Sequence, residues 1–135
     1  MTRMMLTVLI VGGALLTAAA RAQEPTLESA PPVVVKTVPE AGAAEVDAST
    51  TEIQVTFSKR MQDGSWSWST VSQESFPETT GTPRYDDDRR TCVLPVKLQP
   101  GKTYALWINS QNFHNFKDTS GQPAVPYLLV FKTRG

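Results

Sequence analysis

The sequence predicts an all-β protein folded as an antiparallel β-sandwich. Several short segments alternate apolar and polar residues with the period of two that is typical of a strand with one buried face. Residues that favour turns, such as Pro, Gly, Asn and Asp, separate these segments. No segment combines an amphipathic helical period with helix caps, so we expect no long helix.

The N-terminus has the pattern of a secretory signal peptide over residues 1–22. Arg3 provides the positive start, residues 4–16 are mostly apolar, and Ala20, Arg21 and Ala22 form an A-x-A cleavage site. An uncleaved anchor helix is the alternative, but the segment is short for a bilayer span of about 20 apolar residues. We therefore expect an exported protein, periplasmic or extracellular, with no membrane insertion after cleavage.

The mature chain is predicted to be one domain, residues 32–135, behind a flexible polar segment, residues 23–31. The signal peptide removes two of the 13 basic residues, which leaves 11 against 13 acidic ones. A near-neutral chain without basic clusters argues against nucleic acid or anionic lipid as a partner. We expect a monomer.

The first half of the domain contains two predicted strands. A run of three valines at 33–35 predicts the first, and Pro39 and Gly42 mark a turn. Residues 52–58 alternate cleanly and predict the second strand, with Ile53, Val55 and Phe57 on one face.

The next segment, residues 65–69, alternates serine with tryptophan. This pattern predicts that Trp66 and Trp68 share one face and that Ser65, Ser67 and Ser69 form the solvated face. Residues 73–82 are rich in Pro, Gly, Ser and Thr and predict a long loop. Arg84 and Tyr85 then lead into a charged tip at residues 86–90.

Residues 92–98 and 104–109 alternate on either side of a Gln-Pro-Gly-Lys turn. Two such runs around Pro and Gly predict an antiparallel hairpin. Pro95 has no N–H to donate, so its strand is predicted to lie at a sheet edge or to bulge there. The last strand, 127–133, follows a loop at 111–126 and is apolar on both faces, which predicts an internal position.

Cys92 is the only cysteine, so the chain cannot form an intrachain disulfide. It shares the predicted inward face with Leu94 and Val96, and we expect a small buried hydrophobic residue. An intermolecular disulfide is the alternative.

Four motifs in order resemble SbsA-type bacterial Ig-like domains, a family named for an S-layer protein. They lie at residues 37–43, 53–61 (the strand ending in Met61), 98–104 (Leu-Gln-Pro-Gly-Lys-Thr-Tyr) and 117–123 followed by 130–133. Gln122 replaces the family's usual Asn, and the segment with Trp66 and Trp68 has no counterpart in the pattern. The resemblance implies an immunoglobulin-like sandwich of about seven strands, outside the cytoplasm and without catalysis. Such domains are commonly strung in tandem or appended to enzymes as spacers and adhesive modules.

Catalytic and cofactor chemistry finds no support in the residues. His114 is the only histidine, with neither a Cys partner nor a second His at ligand spacing, and no G-x-S-x-G elbow is present. We therefore predict a non-enzyme that needs no cofactor.

The charged tip is the only candidate for metal binding. Asp86, Asp87 and Asp88, joined by Asp118 if the fold brings it near, offer carboxylate oxygens of the kind that Ca²⁺ prefers. Arg89 and Arg90 follow directly and the spacing is not that of an EF-hand loop. A solvated hairpin tip is therefore favoured over a calcium site.

The aromatic residues are the candidate ligand-binding set. Exposed rings can stack on sugars, and amides such as Asn109, Gln111, Asn112 and Asn115 can bond hydroxyl groups, whereas buried rings would only fill the core. Two functions remain open: a structural or protein-interaction module of the envelope, or a carbohydrate-binding module for an envelope polysaccharide. The aromatic candidates are Trp66, Trp68, Trp107 and Tyr85, with Phe113 and Tyr127 nearby in the same set.

Overall fold

The computed structural model describes residues 24–135, and the signal peptide predicted at 1–22 lies outside the described residues. In the unit Met1–Ala30, the described residues 24–30 contain a turn in which the Ala30 N–H donates to the Thr26 carbonyl at 2.9 Å. The second unit, Pro31–Gly135, contains the strands. Residues 24–135 form no helix of the length and apolarity that a membrane crossing requires.

Eight strands form two antiparallel sheets in the described part of the chain. Their bounds are β1 Val34–Val38, β2 Glu52–Phe57, β3 Trp68–Thr70, β4 Glu78–Thr79, β5 Arg84–Tyr85, β6 Thr91–Lys97, β7 Thr103–Ile108 and β8 Tyr127–Lys132. One sheet has the order β1-β2-β6, with β4 and β5 both pairing with β6, and the other has the order β3-β7-β8. The prediction of an all-β sandwich is confirmed.

The strand order is that of an immunoglobulin-like sandwich. Constant-type immunoglobulin domains place four strands in one sheet and three in the other, in the order A-B-E-D against C-F-G. Here β1, β2 and β6 correspond to A, B and E, while β4 and β5 are two halves of strand D. Because β3, β7 and β8 take the places of C, F and G, the eight short strands make the seven strands of this topology. Residues 73–82, predicted to be all loop, therefore include β4.

The core lies between the inner faces of the two sheets. Alternate residues of β2 and β7 point into it, so Ile53 and Val55 face Leu106 and Ile108, all fully buried. Complete burial of each such side chain stabilises the fold by about 1.5–3 kcal/mol before conformational entropy is counted. The remaining members of this buried cluster are Phe57, Met61, Cys92, Leu94, Val96, Leu98, Tyr104, Phe116, Ala124, Leu129 and Phe131.

The hairpin predicted around residues 99–102 is wrong, because β6 and β7 belong to different sheets. The turn instead carries the chain across the sandwich and is held by the C-terminal end of the chain. Gly101 N–H donates to the Arg134 carbonyl at 2.8 Å, and Lys102 N–H donates to Thr133 Oγ1 at 2.9 Å. The Tyr104 hydroxyl accepts the Gln99 N–H at 2.8 Å, which is the tyrosine corner of immunoglobulin-like folds.

Pro95 does not lie at a sheet edge, contrary to one of the two expectations. Strand β6 is internal, with β2 on one side and β4 and β5 on the other. The Pro95 carbonyl accepts the Thr80 N–H at 3.0 Å, so its missing donor faces the D-strand side. The pairing register there shifts by two residues between β4 and β5, because the chain loops out at 81–83. Because of that break, no carbonyl of strand D is left unpaired by the missing N–H of Pro95.

The last strand, β8, is at a sheet edge and is not internal as its sequence predicts. Residues 42–46 cover this edge, with Gly42 N–H donating to Val130 (2.7 Å) and Val46 N–H to Lys132 (3.0 Å). Val46 and Thr133 form a parallel bridge. Leu128 points to the outer face and is 42% exposed. The strand is therefore apolar on both faces although it lies at an edge. Residues 42–46 cover that edge, and the outer face carries the exposed Leu128.

Candidate functional site

One side of the sandwich is open, where strand C of one sheet faces strand D of the other. An open cleft of about 510 Å³ lies there, and we call it the edge cleft. Its volume falls within the range of ligand-binding sites in proteins. The residues that line it are Trp66, Ser67, Trp68, Ser69, Thr70, Phe76, Thr79, Gly81, Pro83, Leu94, Phe113 and Asn115.

The two indoles of the edge cleft are half-buried and pack against the core. The Trp68 ring meets Phe116 edge-on, with the ring centroids 5.4 Å apart. Phe116 in turn lies 5.1 Å from the ring of Phe57, deep between the sheets. Both indoles line the edge cleft, and so do Ser67 and Ser69 of the predicted serine face. Each indole therefore belongs partly to the core and partly to the cleft wall.

The indole nitrogen of Trp68 is buried and has no hydrogen-bond partner among the described residues. The nearest interaction of this nitrogen is with the Cys92 thiol, a weak acceptor, and it does not have the geometry of a hydrogen bond. Burial raises the pKa of Cys92 to about 12, against an opposing contribution from the Trp68 side chain. The polar atom of this tryptophan therefore points into the core, and the cleft meets only its ring.

The serine face predicted to be solvated is partly wrong, because Ser67 is only 7% exposed. Ser67 Oγ accepts the Asn115 N–H at 2.8 Å, and Ser65 Oγ donates to the Asn115 carbonyl. Residues 65–67 precede β3, and the loop after β7 folds over them. These two serines anchor that loop at one end of the edge cleft.

Trp107 lies in a second cleft, of about 500 Å³, on the outer face of the three-stranded sheet. In the strand register it sits between Ser69 of β3 and Leu128 of β8. Phe113, 59% exposed, lines both this cleft and the edge cleft. The remaining residues of this Trp107 cleft are Thr70, Ser110, Gln111, Asn112 and Pro126.

Tyr85 lines neither cleft. Its hydroxyl donates to the Ser65 carbonyl at 2.8 Å and its ring packs against the core. Burial raises the pKa of Tyr85, with smaller contributions from Cys92 and Asp63. The structure therefore places Trp66 and Trp68 together, Trp107 in the neighbouring cleft, and Tyr85 in a supporting position.

Asn109 is not available to a ligand, because it is fully buried. Its Nδ2 donates to the carbonyls of Phe116 (2.8 Å) and Ala124 (3.0 Å), and its Oδ1 accepts the Phe116 N–H (2.9 Å). Its φ of 55° is left-handed, a conformation that Asn tolerates better than most residues. This side chain fixes the loop from which Phe113 and Asn115 project.

Among the aspartates of the charged tip, Asp88 is occupied with local structure. Asp88 accepts the N–H groups of Arg90 (2.9 Å) and Thr91 (3.0 Å), and these bonds lower its pKa. Asp118 lies elsewhere in a buried ion pair, with its Oδ2 2.7 Å from Lys59 Nζ. Within the described residues no group of three or more His, Cys, Asp or Glu side chains is arranged to hold a metal ion.

His114 is exposed, and its Nδ1 lies 3.1 Å from the Ser110 carbonyl. The bond links the two ends of the loop that carries Phe113. The contact that the structure gives the ring is therefore one within its own loop.

Sequence reasoning missed Phe76 and Leu94 as cleft residues and Phe116 as the ring behind them. Phe76 and Phe116 lie in segments without periodicity, where the only available signal was a large apolar side chain among polar neighbours. Leu94 was correctly assigned to the inward face, but its position opposite the break in strand D is a long-range property.

The fold and the clefts define an immunoglobulin-like sandwich with one open side. The family profile described as Bacterial Ig-like domain matches residues 28–133, so the chain belongs to the bacterial Ig-like domain family. This confirms the resemblance to bacterial Ig-like domains, and the SbsA type within them stays a prediction.

Solved structures similar to the chain include the S-layer protein rSbsC, with 18% identity and a TM-score of 0.49. Domains 1–6 of the surface layer protein SbsC match with 18% identity and a TM-score of 0.46. Each match covers 79% of this chain and 14% of the other, so the chain spans about one-seventh of those proteins. No curated protein matches the chain.

Proposed function

We propose that the chain is an exported, non-catalytic Ig-like module of the SbsA type that holds a partner protein in the cell envelope or outside the cell. The observation that carries this proposal is the edge cleft, an apolar opening along one side of the sandwich. The opposite side is covered by residues 42–46, so the two sides of the fold are unequal. Open, apolar concave surfaces are where small domains of this kind bind their partners.

Export is supported by the signal-peptide pattern of residues 1–22, and the non-catalytic role by membership in the bacterial Ig-like domain family. The proposed partner is a protein, because the residues that line the edge cleft bear no charge and few of them carry the amides that bond sugar hydroxyls. Asn115 is the one amide side chain in that lining.

A photo-crosslinking amino acid tests this proposal in the producing cell. We expect Thr79, which is exposed on the wall of the edge cleft, to form a discrete crosslinked protein adduct when it is replaced. The same replacement at Glu40, in the exposed turn after β1, is the matched control and is expected to give none. Absence of an adduct at Thr79, or the same adducts from both positions, contradicts a protein-binding role for the cleft.

A carbohydrate-binding module is the second candidate, and the Trp107 cleft is the observation that favours it. A half-buried indole lies there on an outer sheet face beside Gln111 and Asn112, which combines a ring for stacking with amides for hydroxyl groups. Titration with envelope polysaccharides, followed by intrinsic tryptophan fluorescence, tests it. A saturable blue shift that Trp107→Ala abolishes supports this candidate, and an unchanged spectrum with every polymer argues against it.

A further inference from the structure

The outer edge of β3 presents unpaired backbone groups. Asn109 N–H donates to the Ser67 carbonyl at 3.1 Å, so the backbone groups of Ser67 face β7. Strand geometry repeats every two residues, so Ser69 also faces β7 while Trp68 and Thr70 direct their N–H and C=O groups away from the sheet. In the described residues β3 pairs only with β7, and no other backbone hydrogen bond reaches those four groups.

The edge cleft runs along this edge. Residues 66–70 are consecutive and all five line the cleft, and the three of them in β3, Trp68–Thr70, point alternately to the two faces of the sheet. A cleft that touches both faces of a strand must follow its free side. The facing wall is strand D, where Thr79 occupies a register position whose backbone groups turn away from β6.

The other edge of the same sheet shows how an extended segment binds there. That edge, β8, is covered by an extended segment of this chain, with Lys132 N–H donating to the Ala43 carbonyl (2.8 Å) and Arg134 N–H to the Val46 carbonyl (2.8 Å). In the described residues the β8 edge therefore has a covering segment and the shorter β3 edge has none.

We propose that the β3 edge binds an extended peptide segment of a partner protein, which adds a strand beside Trp68 and Thr70. The peptide exchanges backbone hydrogen bonds with those two residues, and its alternate side chains enter the edge cleft against the indole rings, Phe76 and Leu94. Because none of the lining side chains is charged, the inserted side chains are apolar. This inference rests on the proposed function and specifies the partner's conformation and chemistry.

Proline at position 70 tests the backbone contact. Thr70→Pro removes one outward N–H and leaves the bonds between β3 and β7 intact, since Pro is tolerated on an edge strand where its nitrogen faces solvent. Thr70→Ala keeps the N–H and is the matched control. The probe is a displayed library of random twelve-residue peptides, selected on wild-type residues 24–135 alone, and the selected peptides are then measured on each variant. We expect the selected peptides to bind Thr70→Pro about tenfold more weakly than Thr70→Ala or the wild type.

Amide hydrogen exchange locates the bound peptide independently of that variant. The amides of Trp68 and Thr70 should exchange rapidly in the free protein and become protected with the selected peptide, whereas the Ser69 amide, bonded to β7, should change little. If Thr70→Pro fails to fold, the same peptide N-methylated at alternate residues replaces it. Methylation on one edge of the peptide should abolish binding, and methylation on the other should be tolerated.

Three results would overturn the proposal: no selectable peptide, equal binding by Thr70→Pro, or binding without protection at Trp68 and Thr70. Selective binding of a polysaccharide in the edge cleft would also overturn the proposal, because the ligand would then be a sugar chain and not a peptide. An adduct at Thr79 in cells together with equal peptide binding by Thr70→Pro would retain the proposed function and reject strand addition. Absence of that adduct would reject the proposed function itself.

Discussion

Tyr104 joins two contributions to stability in one side chain. It is 1% exposed, stacks on Phe131 with ring centroids 5.5 Å apart, and accepts the Gln99 N–H through its hydroxyl. The ring fills the core, while the hydroxyl fixes the turn that carries the chain from one sheet to the other. Substitutions can separate these two roles.

We expect Tyr104→Ala to lower the free energy of unfolding by about 3–5 kcal/mol, because it removes a large buried ring and leaves a cavity. Tyr104→Phe keeps the ring and loses only the hydrogen bond, so a loss of about 1 kcal/mol is expected. Urea denaturation of both variants measures the difference. A near-neutral Tyr104→Ala would show that the ring does not support the core.

Asn109 holds the loop after β7 through three hydrogen bonds to the backbone. Asn109→Asp is nearly isosteric but sets a carboxylate oxygen against the carbonyls of Phe116 and Ala124. We expect a loss of roughly 3 kcal/mol at neutral pH. Asn112→Asp, an exposed change in the same loop, is the control and should stay within about 0.5 kcal/mol of the wild type. Equal thermal denaturation midpoints for the two variants would contradict this role for Asn109.

At the scale of elements, the loop at residues 117–122 is organised by one buried carboxylate. Asp118 Oδ1 accepts the N–H groups of Ser120 (3.0 Å) and Gln122 (2.9 Å), and Oδ2 pairs with Lys59. Burial acts to raise the pKa of Asp118, but the Lys59 contact and these backbone bonds outweigh it and lower the pKa. The carboxylate is therefore more acidic in the folded protein than in the unfolded chain.

The lowered pKa of Asp118 predicts acid sensitivity. Its contribution to stability is fully present above the unfolded pKa, near 4, and is lost as the pH falls through the lower folded value. We expect Asp118→Asn to be less stable than the wild type at pH 7 and to lose less further stability on acidification below pH 4. Lys59→Met should also weaken the pH dependence. Parallel curves for Asp118→Asn and the wild type from pH 5 to 2 would contradict the assignment.

Local patterns identified most strands but could not decide how they pair. The alternation at Ile53, Val55 and Phe57 was sufficient to predict β2 and its buried face. The Pro-Gly turn before Tyr104 has the local chemistry of a hairpin, and only its bonds to Thr133 and Arg134 make it a corner between sheets. Those partners lie about 30 residues away, beyond the reach of a periodicity argument.

The candidate site was predictable in part for the same reason. The Ser-Trp alternation placed Trp66 and Trp68 on one face, and both line the edge cleft. Nothing in the local sequence showed that Phe116 would fill the core behind them, because that loop residue is positioned by Asn109. The cleft lies between β3 of one sheet and strand D of the other, with Gly81 and Pro83 in its lining, so its shape depends on both sheets together.

At the scale of the whole molecule, Cys92 reports on the integrity of the sandwich. It is fully buried in the core cluster, and burial raises its thiol pKa to about 12, so little reactive thiolate is present at neutral pH. Burial also keeps the thiol away from other molecules while the protein is folded.

We expect iodoacetamide to label Cys92 only through global unfolding, at least about a thousandfold more slowly than in denaturant. Val55→Ala, which opens a cavity next to the same core, should accelerate labelling in proportion to its loss of stability. Rapid labelling of the native wild type would show that the core near Cys92 opens locally. Mass spectrometry of the alkylated protein at successive times provides the measurement.

The parallel contact between residues 42–46 and β8 has a consequence for force. Gly42 begins the covering segment and Arg134 follows the end of β8, so tension between them would pull the two parallel segments from opposite ends. The bonds of Val130, Lys132 and Arg134 to the covering segment would then be loaded together in shear. An antiparallel pair pulled from one end opens bond by bond, like a zipper. A tether attached at these two points would therefore meet a mechanical clamp, on the side of the sandwich opposite the edge cleft, and the binding side would carry little of the load.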